Sequence, residues 1–233
     1  MKKIKVLIVD DERLARDEIK RQLEPYTQFE IAGMAENVQE AQQQVELLKP
    51  AIIFLDVQMP DGTGFDLLQQ LHTVPVIVFT TAFDQYAVHA FEVNALDYLL
   101  KPLREERFAK AVEKIMQQFS GSPQQPAANI FVKEGERCYF INPADISLVA
   151  SSGNYAKIYF NDKKVLLKRS LNFLEDTLDQ TVFLRINRTT IVNKNCITKI
   201  LTLADGRLEV CMKDERIFIV SVRRSAMFKN QRL

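Results

Sequence analysis

No stretch of this 233-residue chain approaches the ~18 consecutive apolar residues of a membrane-spanning helix. The N-terminal lysines followed by Ile4–Val9 have the outline of an export signal. That apolar part is too short, however, and ends in Asp10, Asp11 and Glu12 rather than in small residues, so it reads as a strand. Cysteine is scarce. Cys138, Cys196 and Cys211 are odd in number, widely spaced and without a CxxC pair, and His72 and His89 lie far from them in sequence. Neither a disulfide framework nor a zinc site is indicated, and the expectation is reduced thiols in a cytosol, each a small core residue rather than a sensor. No internal repeat is evident. Overall charge is also nearly absent, at +1, but this balance conceals a division. Residues 1–118 carry 13 Lys and Arg against 19 Asp and Glu, whereas residues 129–233 carry 18 against 11. An acidic half followed by a basic one points to a second half that meets a polyanion.

What is present is organised around Ala51–Gly64, AIIFLDVQMPDGTG. The run AIIFL is short and continuous, as in a parallel strand buried on both faces, and Pro60, Asp61, Gly62 and Gly64 then turn the chain toward a helix. Asp56 therefore ends a central strand. Around it, short apolar runs alternate with helical spacing. Strands are expected at Ile4–Val9, Glu30–Met34, Ala51–Leu55, Val74–Thr81 and Asp97–Leu100. Helices are expected through Ala15, Ile19 and Leu23; Val38, Ala41, Val45 and Leu48; Phe65, Leu68 and Leu71; Ala87–Phe91; and Phe108, Val112, Ile115 and Phe119. Five βα units in this length imply an α/β fold, a doubly wound five-stranded parallel sheet with helices on both faces.

In that frame Asp10, Asp11, Asp56, Thr80, Thr81 and Lys101 all fall at carboxyl ends of strands, the edge where such sheets bind ligands. Three acids there repel one another unless a cation joins them, and oxygen-only ligands suit Mg²⁺. Such a site can accept a phosphoryl group on Asp56, with Lys101 and a threonine hydroxyl steadying the transferred oxygens.

VDDE, LDVQMPDGTG, FTTA and DYLLKP, in this order, resemble the receiver domain of two-component response regulators, a CheY-like, flavodoxin-like fold, over about Lys3 to Phe119. The resemblance implies Asp56 as phosphoacceptor, and Asp11 and Asp56 as side-chain Mg²⁺ ligands. It further implies Asp10 acting through water, the Gln58 carbonyl completing the metal shell, and Thr81 and Lys101 contacting the phosphoryl group. Lys101–Pro102 is expected to be cis, and Tyr98 matches an aromatic switch that moves inward with Thr81. Phe83, two residues after Thr81, is expected beside the phosphoryl group, where its bulk would hinder water. Haloacid-dehalogenase-type phosphatases also place an aspartate after an apolar strand, but they need a second acid two positions on. Here that position is Gln58. A stable aspartyl phosphate rather than enzymatic turnover is expected.

Residues 120–128, ending SPQQPAA, have neither charge nor apolar periodicity and read as a linker between a domain at 1–119 and another at 129–233. Beyond it the periodicity becomes two. Runs at Phe131–Val132, Cys138–Ile141, Ile146–Val149, Ala156–Phe160, Val165–Leu167, Phe183–Ile186, Ile197–Leu201, Leu208–Met212 and Ile217–Val220 are separated by turn signals at Ser152-Gly153-Asn154, Asn161-Asp162 and Asp205-Gly206. Only Leu171, Leu174 and Leu178 suggest a helix, with Ser170 as its cap. This mostly antiparallel β pattern argues against a helix-turn-helix module, which needs consecutive helical periodicity. A basic β module can still hold DNA by displacing counterions, with loop residues reading bases. Its rival is a protein-interaction module whose basic face meets an acidic partner.

ADISLVASSGNYAKIYF, RSLNFLEDTL, FLRINRTTIVNKNCITKI and VSVRRS resemble the LytTR DNA-binding domain of LytR/AlgR-type regulators, over about Asn129 to Lys229. The resemblance implies ten strands and loops that enter successive major grooves of direct repeats. Base contacts would fall near Ser152 to Asn154, at Arg188 and at Arg223, with Lys168 and Arg169 on backbone phosphate. Two positions depart from the pattern: Asn187 stands where a histidine is usual, and Val222 where an arginine is. The whole then reads as a cytoplasmic response regulator and transcription factor, not an enzyme. It would take its phosphoryl group from a sensor histidine kinase, bind promoter DNA, and dimerise when phosphorylated through the surface of the fourth helix and fifth strand.

Overall fold

The computed structural model describes residues 3–82, 95–120, 129–135 and 137–225. The expected helix at Ala87–Phe91 and the position of Phe83 lie outside these residues, as do residues 121–128 of the linker. Two compact units divide the chain at Asn142 and Pro143.

In the first unit β1 (Ile4–Val9), β2 (Phe29–Ala35), β3 (Ile52–Asp56), β6 (Val76–Thr81) and β7 (Asp97–Leu100) form a parallel sheet in the order β2-β1-β3-β6-β7. The continuous apolar runs are buried on both sides because each strand divides its residues between two cores. Leu7, Val9, Ile53 and Leu55 pack with Val38, Ala41 and Val45 of α2 (Val38–Leu48) and with Phe65, Leu67 and Leu68 of α3 (Gly64–Gln70). Val6, Ile8, Ile52 and Phe54 pack with Ile19 and Leu23 of α1 (Arg13–Leu23). On that face they also meet Phe108, Ala111, Val112 and Ile115 of the helix Glu105–Ser120. Register aligns the strand ends, with Asp56 beside Thr80 and Thr81 beside Leu100.

The loop after Asp56 contains a small hairpin, β4 (Gln58–Met59) with β5 (Gly62–Thr63). Asp61 at its turn accepts the backbone N–H groups of Val38 and Gln39 at 3.0 and 3.2 Å, fastening the loop to the start of α2. Thr63 and Asp66 make a reciprocal capping box that fixes the start of α3. The Lys101–Pro102 bond is cis, as expected.

A further hairpin, β8 (Ile130–Glu134) with β9 (Arg137–Ile141), packs in this first unit although it follows the linker. Asn129 exchanges two backbone hydrogen bonds with Val74, and Phe131 stacks on Phe65 at 6.5 Å between centroids. Cys138 is buried here, which pushes its thiol up to about 11 and suits a packing role.

The second unit contains an antiparallel sheet of five strands: β10 (Ile146–Ser152), β11 (Tyr155–Phe160), β12 (Lys163–Leu167), β13 (Phe183–Asn187) and β14 (Thr190–Asn193), ordered β12-β11-β10-β14-β13. A three-stranded sheet of β15 (Ile197–Thr202), β16 (Leu208–Met212) and β17 (Ile217–Ile219) lies against it through Leu148, Ile186, Val192, Leu208, Val210 and Met212. The three expected turns carry positive φ at Gly153, at Asn161 and Asp162, and at Gly206. One short helix, Leu171–Thr177, is capped by the Ser170 hydroxyl, which accepts the Phe173 N–H at 3.1 Å. With the hairpin, ten strands follow residue 129 among the described residues.

Candidate functional site

Asp10 follows β1, Asp56 ends β3, Thr81 ends β6 and Lys101 follows β7, so chain order alone brings them to one edge of the first sheet. Lys101 Nζ lies 2.9 Å from Asp56 Oδ2 and 2.9 Å from Asp10 Oδ2, and donates a hydrogen bond to Asp10 Oδ1 at 3.1 Å. Oxygens of Asp10, Asp11 and Asp56 can all lie within 4.8 Å of one another. Asp10 is fully buried, Asp56 nearly so, and Asp11 exposed. Burial pushes the Asp10 carboxyl up to about 6; Lys101 opposes this and the neighbouring Asp56 adds to it. Asp56 is raised as well, again chiefly by burial against the pull of Lys101. Burial lowers Lys101, but the two carboxylates outweigh it and hold the ammonium above its ordinary value.

Crowded carboxylates with raised proton affinity form a site short of positive charge. Asp10 Oδ2 is buried with no hydrogen-bond partner among the described residues; its approach to Lys101 is an ion-pair contact at an angle that makes no hydrogen bond. An all-oxygen set that holds a buried carboxylate oxygen without a hydrogen bond fits a hard divalent cation. Thr80 and Thr81 are both fully buried, and the Thr81 carbonyl accepts the Lys101 N–H at 2.8 Å. Tyr98 is buried, its ring 6.4 Å from Phe79. The Gln58 N–H donates to Asp56 Oδ1 at 3.4 Å.

Arg16 had no signal beyond its place on α1. Its guanidinium donates to the backbone carbonyls of Asp10 at 2.6 Å and Asp11 at 3.1 Å, holding the acidic loop from behind. Gly64 is required by a close approach: a Cβ there would sit 2.4 Å from the carbonyl oxygen of Asp56.

In the second unit the expected contact residues fall at strand ends, turns and one helical segment, with Asn154, Lys168, Arg188 and Arg223 exposed. Ser152, half-buried, ends β10, Asn154 lies in the β10–β11 turn, Lys168 follows β12, Arg188 lies between β13 and β14, and Arg223 lies in the helical segment 222–225. Arg169 is half-buried with its guanidinium over the Phe173 ring at 5.1 Å. Arg224, the neighbour of Arg223, points instead to Glu175 at 2.8 Å. Asn187 is structural in this chain: its side-chain amide donates to the Ile219 carbonyl, and its oxygen accepts the Thr189 N–H.

A buried acidic strand edge on a doubly wound sheet, joined to a basic two-sheet β module, defines a receiver followed by a DNA-binding output module. The response regulator receiver domain model matches residues 6–113, and the LytTr DNA-binding domain model matches residues 136–232. The sensory transduction protein LytT of Enterococcus faecalis is 34% identical over 217 residues, which is 89% of this chain and 90% of that protein. The transcriptional regulatory protein BtsR of Salmonella typhi is 36% identical over 222 residues, 91% of each chain. Among solved structures, the response regulatory domain of mrkE from Klebsiella pneumoniae is 35% identical. It covers 51% of this chain and 99% of its own, at a TM-score of 0.47. The chain belongs to the LytTR-type response regulators: it is a phosphorylatable, DNA-binding transcription regulator rather than an enzyme. No described helix is long and apolar enough to cross a membrane.

Proposed function

We propose that Asp56 is the phosphoacceptor, that Asp10, Asp11, Asp56 and the Gln58 carbonyl hold Mg²⁺, and that a sensor histidine kinase in the cytoplasm is the donor. The observation that carries this is the position of Lys101 Nζ, 2.9 Å from carboxylate oxygens of both Asp10 and Asp56 at the strand edge. An Asp56 carboxylate oxygen attacks phosphorus, the bond from phosphorus to the donor's imidazole nitrogen breaks, and that nitrogen leaves with the electron pair. Bound Mg²⁺ would supply positive charge to the phosphoryl oxygens. Lys101, already shared between two carboxylates, turns to one of those oxygens, and the Thr81 hydroxyl donates to another. Tyr98 repacks as Thr81 moves, changing a face through which two chains associate.

Pairing two modules makes binding to tandem promoter repeats bivalent, which raises apparent affinity without new contacts. In each module Ser152, Asn154, Arg188 and Arg223 reach base edges while Lys168 and Arg169 hold phosphate. In this reading the receiver is residues 1–119, the linker 120–128 and the DNA-binding domain 129–233.

Acetyl phosphate and Mg²⁺ are the test. Intact-mass measurement should find one phosphoryl group per chain, mapped to residue 56 and absent from Asp56→Asn. A phosphoryl group elsewhere, or none, removes the proposal. Selection from random-sequence DNA should return a repeated element.

A further inference from the structure

Arg188 and Arg223, the two exposed arginines placed for base reading, belong to different segments, and neither is fixed by its own strand. Both segments are tied to one carboxylate. Glu175, on the helix Leu171–Thr177, accepts from Arg185 Nη1 at 2.9 Å through one oxygen and from Arg224 Nη2 at 2.8 Å through the other. Arg185, with a side chain only 14% exposed, also gives Nη1 to Asn172 Oδ1 at 2.5 Å, and its other donors go to the turn that carries Arg188. Nε reaches the Asn187 carbonyl at 3.2 Å, and Nη2 the Arg188 carbonyl at 3.0 Å. Arg224 adjoins Arg223 in the segment 222–225.

We propose that Glu175 is a positioning residue for sequence recognition, a single anionic post that sets Arg188 and Arg223 relative to one another. Base reading needs each guanidinium to meet a guanine edge by two hydrogen bonds, which tolerates little displacement, whereas phosphate contact tolerates much. The carboxylate suits this office. Burial raises its proton affinity, but the hydrogen bonds of Arg185 and Arg224 outweigh that and hold its carboxyl below its ordinary value. Asn187 adds a second tie between the same segments by donating to the Ile219 carbonyl at 3.2 Å, and the Ser221 N–H donates to the Ile186 carbonyl at 2.9 Å.

The inference rests on the DNA reading above, and the test separates the two. The full chain and its E175Q variant are titrated with a duplex selected by the wild type from random-sequence DNA, and with a scrambled duplex of the same length. E175Q removes one negative charge from a basic module, so affinity for the scrambled duplex should hold or rise. Affinity for the selected duplex should fall, lowering the ratio by about tenfold or more, the discrimination carried by one base pair. Simple destabilisation would weaken both together. The single arms sharpen the result: R185K should relax preference at the base pairs read by Arg188, and R224Q at those read by Arg223. Should E175Q lack a cooperative thermal transition, these two variants decide alone. A folded E175Q with the wild-type ratio, or arms that relax the same base pairs, overturns the inference. A wild type that selects no sequence overturns the DNA reading and this with it.

Discussion

Lys101 in the first unit and Arg185 in the second are about equally sheltered, with side chains 16% and 14% exposed, yet they hold different things. Lys101 gathers two carboxylates, and those are the groups proposed to take the phosphoryl group and to hold Mg²⁺. Arg185 gathers a carboxylate, the Asn172 amide oxygen and two backbone carbonyls, and the side chains proposed to touch DNA stand outside its network. In the first unit the buried network is the site itself; in the second it is scaffolding. A change at Lys101 should therefore strike chemistry directly, while changes around Arg185 should grade recognition.

The largest expected effect breaks the first half of that contrast. Lys101→Met keeps the unbranched chain as far as the ε position but removes its charge from the transferred oxygens, so phosphorylation by acetyl phosphate should slow by roughly a hundredfold to a thousandfold. Calorimetric Mg²⁺ affinity should not weaken, because the carboxylates lose a competing cation. Weaker Mg²⁺ binding would mean that Lys101 mainly shapes the loop. Gly64→Ala comes next. Its Cβ would press on the Asp56 carbonyl and, at 2.9 Å, on Leu55 Cγ, so chemical denaturation should show a loss of about 1–3 kcal/mol. Unchanged stability would mean the loop yields easily.

In the second unit, Arg223→Ala should cost about 1–3 kcal/mol of discrimination against altered sites while leaving non-specific binding in place. Lys168→Ala should weaken all sequences alike and lower the salt slope by about one. If the two variants behave identically, the division between base and phosphate contacts fails.

Much of the first unit was legible because buried parallel strands appear as short continuous apolar runs, four of which end in or lead into the polar residues that the edge collects. The second unit was legible where strands alternate. Thr190–Asn193 was missed because all four residues are buried, two of them polar, so neither alternation nor a long apolar run marks it. Asn193 is satisfied there by donating to the Ile146 carbonyl at 2.8 Å, a contact 47 residues away. Arg16, Asp61, Arg185 and Glu175 were invisible as functional supports for the same reason. Their partners are backbone groups or side chains brought near only by folding, and backbone carbonyls leave no mark in a sequence. The hairpin Ile130–Ile141 was read with the basic half by its strand periodicity; its choice of Phe65 and Val74 as neighbours could not be read from that pattern.

The smallest expected effect tests whether scaffolding ion pairs occur in the first unit too. Asp97, buried at the start of β7, accepts from Arg107 at 2.7 Å and from Lys114 at 3.1 Å. Burial raises its carboxyl, but these bonds outweigh that and hold it below its ordinary value of 3.8. A carboxyl lowered by folding contributes stability that is present above that ordinary value and lost as pH falls through the lower, folded one. Arg107 and Lys114 are 40% and 50% exposed, so water screens much of the attraction. Asp97→Asn should therefore cost only about 1 kcal/mol at neutral pH. The gap between variant and wild type should close in acid, once Asp97 is protonated in both folded and unfolded chains. Equal phosphorylation rates with this small, acid-sensitive loss would mark Asp97 as support beside a reactive network. A large rate loss would place it inside that network and erase the contrast between the units.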